Sequence, residues 1–180
     1  MKIIIMGPQG CGKSTQAEGL SKKFNIPHIS SGDIFRDLEK SQTDLGKRIW
    51  KALFLGKLVS DNDTMLVIKE KLSKKEYEGG FILDGFPRNL YQAKHSPFKP
   101  DIVLYLKVSE EVSLNRLIER KREDDTPEII KMRLSEYHKN TTPVLDYYKR
   151  LGIIKTFDGE QQVEDIQKEL VEEIEEWQLY

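Results

Sequence analysis

The run Gly7-Pro8-Gln9-Gly10-Cys11-Gly12-Lys13-Ser14-Thr15 follows directly on the apolar stretch Lys2–Met6. Residues of those types at that spacing bind phosphate. Glycines let the chain turn tightly enough for successive backbone N–H groups to converge on phosphate oxygens. A helix that begins at the end of the loop presents its positive N-terminus to the same anion. In the pattern Gly-x4-Gly-Lys-Ser the lysine reaches the β- and γ-phosphates of a nucleoside triphosphate, and the serine hydroxyl ligates Mg²⁺. Gly10, Cys11, Gly12, Lys13, Ser14 and Thr15 are therefore candidate triphosphate-binding residues. A glycine-rich turn without this role would need neither the buried strand before it nor the helix after it.

Further groups of residues supply what phosphoryl transfer needs. Ser31 and Arg36 lie in Ser30-Ser31-Gly32-Asp33-Ile34-Phe35-Arg36, and Gly56 and Val59 in Gly56-Lys57-Leu58-Val59-Ser60-Asp61. Asp84, Gly85 and Arg88 lie in Leu83-Asp84-Gly85-Phe86-Pro87-Arg88, with Gln92 one helical turn beyond the arginine. Arg116, Arg120, Arg122 and Arg133 surround Asp124-Asp125. Asp84, ending a strand beside the first, can hold Mg²⁺ or its waters together with Ser14. Arg36 and Arg88 can make charge-assisted, bidentate contacts to a second phosphate group. The remaining arginines can stabilise negative charge on a phosphoryl group in flight. Each group also has a plainer use: Asp-Gly as a turn, arginines as a solvated charged face. Their combination with the phosphate loop points instead to a phosphotransferase.

Elements that could position these residues are legible in the apolar pattern. Short β-rich runs occur at Lys2–Met6, Pro27–Ile29, Gly80–Leu83, Ile102–Val108 and Ile153–Phe157, separated by long segments of helical period. That alternation predicts an α/β fold, a doubly wound, parallel, five-stranded sheet flanked by helices. Helices are expected over 14–24, within 31–54 and 60–76 with Gly56 between them, and over 126–149. The last opens on Asp125-Thr126-Pro127-Glu128, with an N-cap, a proline in the first turn and a glutamate placed to cap back. Val163, Ile166, Leu170, Ile174 and Trp177 recur at helical spacing and read as a core-facing stripe. The chain between the first and third strands exceeds a simple crossover, so a helical insertion is expected at about 30–60.

Bulk properties bound the partners. The 180 residues fit a single domain with a real core, and a formal net charge of -1 leaves no footprint for nucleic acid or an anionic membrane. Cys11 is the only cysteine, so there is neither a disulfide framework nor a cysteine-based zinc site. Inside the loop Cys11 reads as a small side chain tolerated in a tight turn. His28, His95 and His138 lack metal-ligand spacing and are expected at the surface or in ordinary hydrogen bonds. With no apolar run long enough for a signal peptide or a membrane span, a soluble cytoplasmic protein is expected.

Taken in order, these motifs resemble the adenylate kinases of the nucleoside monophosphate kinase family. The similarity runs from the first strand to Asp158-Gly159, and D-G-F-P-R at 84–88 and S-S-G-D-x-x-R at 30–36 are specific in combination with D-D-x-x-E…R-L-x-x-Y at 124–137. The resemblance implies that Arg36 and Arg88 grip the phosphate of AMP. It places Ser31, Gly56, Val59 and Gly85 around AMP and Gln92 at the adenine. Arg116 matches the arginine that stacks on the ATP adenine, Arg120 the lid arginine, and Arg122 and Arg133 the clamp on the transferred group. Two departures stand out. Ser14 replaces a glycine usual in the family's loop, and only Lys121 separates Arg120 from Arg122. A very short lid at about 116–126 follows, without zinc, and the division of roles between Arg120 and Arg122 stays open.

The implied reaction is MgATP + AMP ⇌ 2 ADP, with Lys13, Asp84, Arg88, Arg122 and Arg133 catalytic and small nucleotides as the partners. A UMP or CMP kinase of the same fold is the neighbouring alternative, against which Gln92 argues. An ATP-binding regulatory module would be expected to have lost Lys13, Asp84 or the arginines.

Overall fold

A computed structural model describes residues 1–120 and 126–179. Five parallel strands form one sheet in the order β2-β3-β1-β4-β5: β1 (Lys2–Met6), β2 (His28–Ser30), β3 (Phe81–Asp84), β4 (Ile102–Lys107) and β5 (Ile154–Asp158). The two pleat faces of β1 feed two separate cores. Ile3 and Ile5 pack with Leu104 and Leu106 beneath α1 (Lys13–Phe24) and α9 (Val163–Trp177). Ile4 and Met6 face the other way, against Ile68, Val144 and Tyr148. Burial on both faces is why these strands read as continuous apolar runs rather than alternating ones.

The register brings the chemistry to one edge. Ile5 pairs with Asp84 and Ser30 also pairs with Asp84, so the carboxyl ends of β1, β2 and β3 meet beside the phosphate loop. From β1 the chain leaves over β3, and from β4 it leaves toward β5. Open α/β sheets bind their ligands where such connections diverge.

The region between β2 and β3 holds α2 (Ser31–Leu38), α3 (Asp44–Phe54) and α4 (Asp61–Leu72), followed by a 3₁₀ turn at Lys75–Tyr77. Caps define the breaks: Ser30 accepts from Asp33 N, Thr43 from Gly46 N and Ser60 from Asp63 N. Gly56 ends α3 at φ 66°, where Gly56 N bonds Leu53 O and Lys57 N bonds Ala52 O. That paired C-terminal cap needs a left-handed residue, which glycine supplies at least cost. Phe35, Ile49, Val59 and Val67 form a small core of this region's own.

Three expectations change. The helix expected over 126–149 is α7 (Pro127–Glu136), a π-helical turn at Tyr137–Thr141, and α8 (Thr142–Arg150). Pro143 has no N–H to continue an α-helix, and Thr142 N reaches back to Tyr137 O instead. The N-cap of α7 is Thr126, whose side chain accepts from Ile129 N, which leaves Glu128 one position short of the residue that caps back. In α9 only Ile166, Leu170 and Ile174 are buried; Val163 and Trp177 at the helix ends are 48% and 39% exposed. The remaining elements, α5 (Leu90–Lys94) and α6 (Glu110–Arg120), complete the chain. Among the described residues no helix is long and apolar enough to cross a membrane.

Candidate active site

Lys13 opens α1 directly after Gly12, the N-cap, at φ 91°. Its ammonium is folded back onto its own loop, donating to Gly7 O at 2.8 Å and Pro8 O at 2.7 Å, with Cys11 Sγ at 3.4 Å. Cys11 is buried beneath it and fills the turn, as a small loop residue should.

Beside the loop, Asp84 ties three elements together. Its Oδ2 accepts from Ser14 Oγ at 2.9 Å and pairs with His28 Nε2 at the same distance. The residue is only 5% exposed. Burial, the largest single effect, pushes the Asp84 carboxyl up, and the His28 hydrogen bond opposes it. With the charges of Lys13 and His28 and the Ser14 hydroxyl, it holds the group below its ordinary value. A serine hydroxyl and one carboxylate at a phosphate loop match the sparse ligand set of Mg²⁺, which keeps waters and takes oxygens from phosphate. Among the described residues no three His, Cys, Asp or Glu side chains group as metal ligands.

Arg88 is fixed by its backbone as well as its side chain. Its Nε donates to Gly85 O at 2.6 Å, its N–H to Gln92 Oε1 at 2.7 Å, and its carbonyl accepts from Thr141 Oγ1 at 2.8 Å. Thr141 belongs to the π-turn, so the irregularity in that helix seats the hydroxyl against Arg88. Burial lowers the Arg88 pKa and the Asp84 charge opposes this; a guanidinium remains cationic throughout. Arg36 pairs with Asp33 on the outer turn of α2, and Arg116 Nη1 donates to Gly159 O at 2.7 Å.

Lys13, Ser14, Asp84, Arg88, Arg36 and Arg116 open on one cleft of about 590 Å³. It is lined by Gly10, Cys11, Gly12, Lys13, Ser14 and Thr15 from the loop, and by Asp84, Gly85, Arg88 and Gln92 from the end of β3. Ser31, Arg36, Gly56 and Val59 line it from the α2–α4 region, Arg116 and Arg120 from α6, and Arg133 from α7. Arg122 and Asp124-Asp125, expected in the lid, lie outside the described residues. Phe35 and Leu53 add an apolar wall that the sequence did not single out.

Gly85 sits at the closest approach, at φ 78°, where a Cβ would lie 2.4 Å from Ser31 Oγ and 3.1 Å from Arg88 Nη2. Gly85→Ala is expected to destabilise the fold by about 1–3 kcal/mol and to raise the KM for the phosphate acceptor. Urea unfolding and initial-rate kinetics on the same variant check both; an unchanged denaturation midpoint would sink the steric argument.

Two residues near the cleft carry bonds that sequence reading left without a role. Of the surface and the ordinary hydrogen bond expected for His28, the structure shows the second: the half-buried ring bonds the candidate metal-binding carboxylate. Asp61 accepts at Oδ1 from Asn89 Nδ2 at 2.7 Å and from Gln92 Nε2 at 2.8 Å. Asp61 stands in the Gly56–Asp61 motif and His28 in the second β-rich run, but no local pattern pairs positions 56 or 31 residues apart.

Residues 5–153 match the family model described as adenylate kinase. The chain belongs to the adenylate kinase family. It is 44% identical over 176 residues to an adenylate kinase of Cyanothece sp. (strain PCC 7425), an alignment covering 92% of this chain and 90% of the relative. With an adenylate kinase of Corynebacterium urealyticum it shares 41% over 173 residues, covering 92% and 94%. With one from Caldicellulosiruptor bescii it shares 36% over 209 aligned positions, covering 95% and 97%. The last alignment is longer than this 180-residue chain, so that relative carries residues absent here. Membership of the adenylate kinase family makes the protein a phosphotransferase, and its parallel sheet is the family's P-loop architecture.

Proposed function

We propose that the single cleft holds MgATP and AMP together and that the AMP phosphate attacks the γ-phosphorus directly, giving two ADP. One observation supports this above the others. The phosphate loop, Asp84 and five described arginines (Arg36, Arg88, Arg116, Arg120 and Arg133) line the same 590 Å³ space.

The loop residues Gly10–Thr15 take the triphosphate, with Arg116 and Arg120 on the donor side. Arg36 and Arg88 grip the acceptor phosphate, while Ser31, Gly56, Val59, Gly85 and Gln92 shape its nucleoside pocket. An AMP oxygen forms the new bond to phosphorus as the bond to the β–γ bridging oxygen breaks, and ADP leaves. The attacking oxygen is already anionic, so no general base is assigned. Lys13, Arg88, Arg133 and, by resemblance, Arg122 stabilise charge on the phosphoryl group during transfer. Ser14 and Asp84 would hold Mg²⁺, directly or through water; bound with ATP, it neutralises phosphate charge. The α2–α4 region at about 30–60 acts as the monophosphate-binding insertion, and residues at about 116–126 as a short lid that keeps water from the phosphoryl group.

The test is ADP formation from MgATP with AMP, UMP, CMP, GMP or water as acceptor, beside Lys13→Ala and Arg88→Ala. ADP from AMP alone, lost in both variants, is the expected result. ADP from a pyrimidine monophosphate or from water would overturn the acceptor assignment.

A further inference from the structure

Gln92 lines the acceptor end of the cleft at only 1% exposure, with its amide engaged at both ends. Arg88 N–H can only donate, and it meets Oε1 at 2.7 Å; the Asp61 carboxylate can only accept, and it meets Nε2 at 2.8 Å. Turning the amide over would set N–H against N–H at Arg88 and oxygen against oxygen at Asp61. The network therefore permits a single orientation. A primary amide has two N–H groups and two oxygen lone pairs, so each end keeps one unused. What remains is one donor on Nε2 and one acceptor on Oε1, in a fixed order.

We propose that Asp61 is a specificity-positioning residue. By holding Nε2, it fixes the Gln92 amide in the order that a 6-aminopurine requires and a 6-oxopurine opposes. An adenine edge offers an amino donor to Oε1 and the N1 lone pair to Nε2. A 6-oxopurine offers the reverse, an oxygen acceptor and an N1–H donor, and meets like against like. Asp61 touches no substrate in this account and acts through Gln92. Its own placement is firm: it is the first residue of α4, and Asn89, the N-cap of α5, donates to the same Oδ1 at 2.7 Å. Asn89 Oδ1 in turn accepts from Gln92 N at 2.9 Å, closing a ring of Asp61, Asn89 and Gln92. The proposal rests on the reading of AMP as acceptor with Gln92 at its base.

The experiment measures kcat/KM with MgATP for AMP and for IMP, a 6-oxopurine monophosphate of nearly the same shape. The proteins are the wild type, Asp61→Leu, Asp61→Ala, Asp61→Asn and Gln92→Leu. Each AMP-to-IMP ratio is taken on one preparation, so any loss of folded protein cancels. The wild type is expected to favour AMP. Asp61→Leu and Asp61→Ala remove the acceptor and should lower the ratio by about tenfold or more, chiefly through the KM for AMP. Asp61→Asn keeps a side-chain oxygen where both bonds converge and should stay within about threefold of wild type. Equal losses with AMP and IMP in the Leu and Ala variants would reduce Asp61 to a structural residue and overturn the proposal. A ratio in Asp61→Asn as low as in Asp61→Leu would overturn it too. A wild-type ratio near one, or a Gln92→Leu variant that keeps the wild-type preference, would instead bring down the reading of Gln92 and the proposal with it.

Discussion

Replacing Lys13 with methionine is expected to slow phosphoryl transfer by roughly 10²–10³-fold, equivalent to about 2.7–4 kcal/mol of transition-state stabilisation. The argument rests on where the ammonium now sits. It donates to the carbonyls of Gly7 and Pro8, atoms of the same loop that would receive the triphosphate. In the proposed complex a bound phosphate would take their place as the acceptor, and the positive charge would offset the negative charge that develops as the β–γ bond breaks. Methionine keeps the length and packing of the side chain but supplies no charge. The carbonyls left without a donor belong to the buried Gly7 and Pro8, so some loss of stability is expected beside the loss of rate. Single-turnover ADP formation and a thermal melt on the same sample separate chemistry from folding. A variant that melts normally and turns over within tenfold of wild type would remove Lys13 from the catalytic set.

Asp84→Asn should show two effects with one origin. The substitution removes the charge from the buried junction of Ser14, His28 and the loop. Apparent Mg²⁺ affinity in the transfer reaction is expected to fall by about 10–100-fold, the range seen when a group orienting a metal site is lost. Stability carries the second effect. The folded-state carboxyl titrates below its ordinary value of about 3.9, so its contribution is present above that pH. It is lost as the pH falls through the folded value. The stability gap between wild type and Asp84→Asn should therefore be widest near neutrality and close on acidification below about pH 4. Urea midpoints at pH 7, 5 and 3.5 measure it. A gap that widens toward acid would reverse the sign and refute the electrostatic account.

Strand positions could be read in the sequence because each is a short β-rich run between turn residues, and burial on both faces keeps such runs apolar. The loop and the D-G-F-P-R turn were legible for a related reason. They act through local backbone geometry, and local geometry leaves local composition. The π-turn at 137–141 left a weaker trace in Thr142-Pro143, which a periodicity reading passes over because apolar residues continue on both sides. Contacts between distant segments left none. That Thr141 seats on Arg88, His28 on Asp84, and Asp61 on Gln92 follows from which strand ends meet in the sheet. The glutamine could be picked out by its match to the family's motif four residues beyond Arg88, but its hydrogen-bond partner Asp61 could not.

The small core of Phe35, Ile49, Val59 and Val67 bears on how such an enzyme can diversify. The apolar wall that Phe35 and Val59 form, with Leu53 packed against them, belongs to that core, which meets one of the two sheet cores through the partly buried Ile34. Substitutions there can reshape the acceptor side while the strands, the phosphate loop and α9 keep their packing. If that wall faces the acceptor, as proposed, the donor half of the reaction would be largely insulated from trial and error in the other half, and lineages could explore new acceptors without first relearning how to hold ATP.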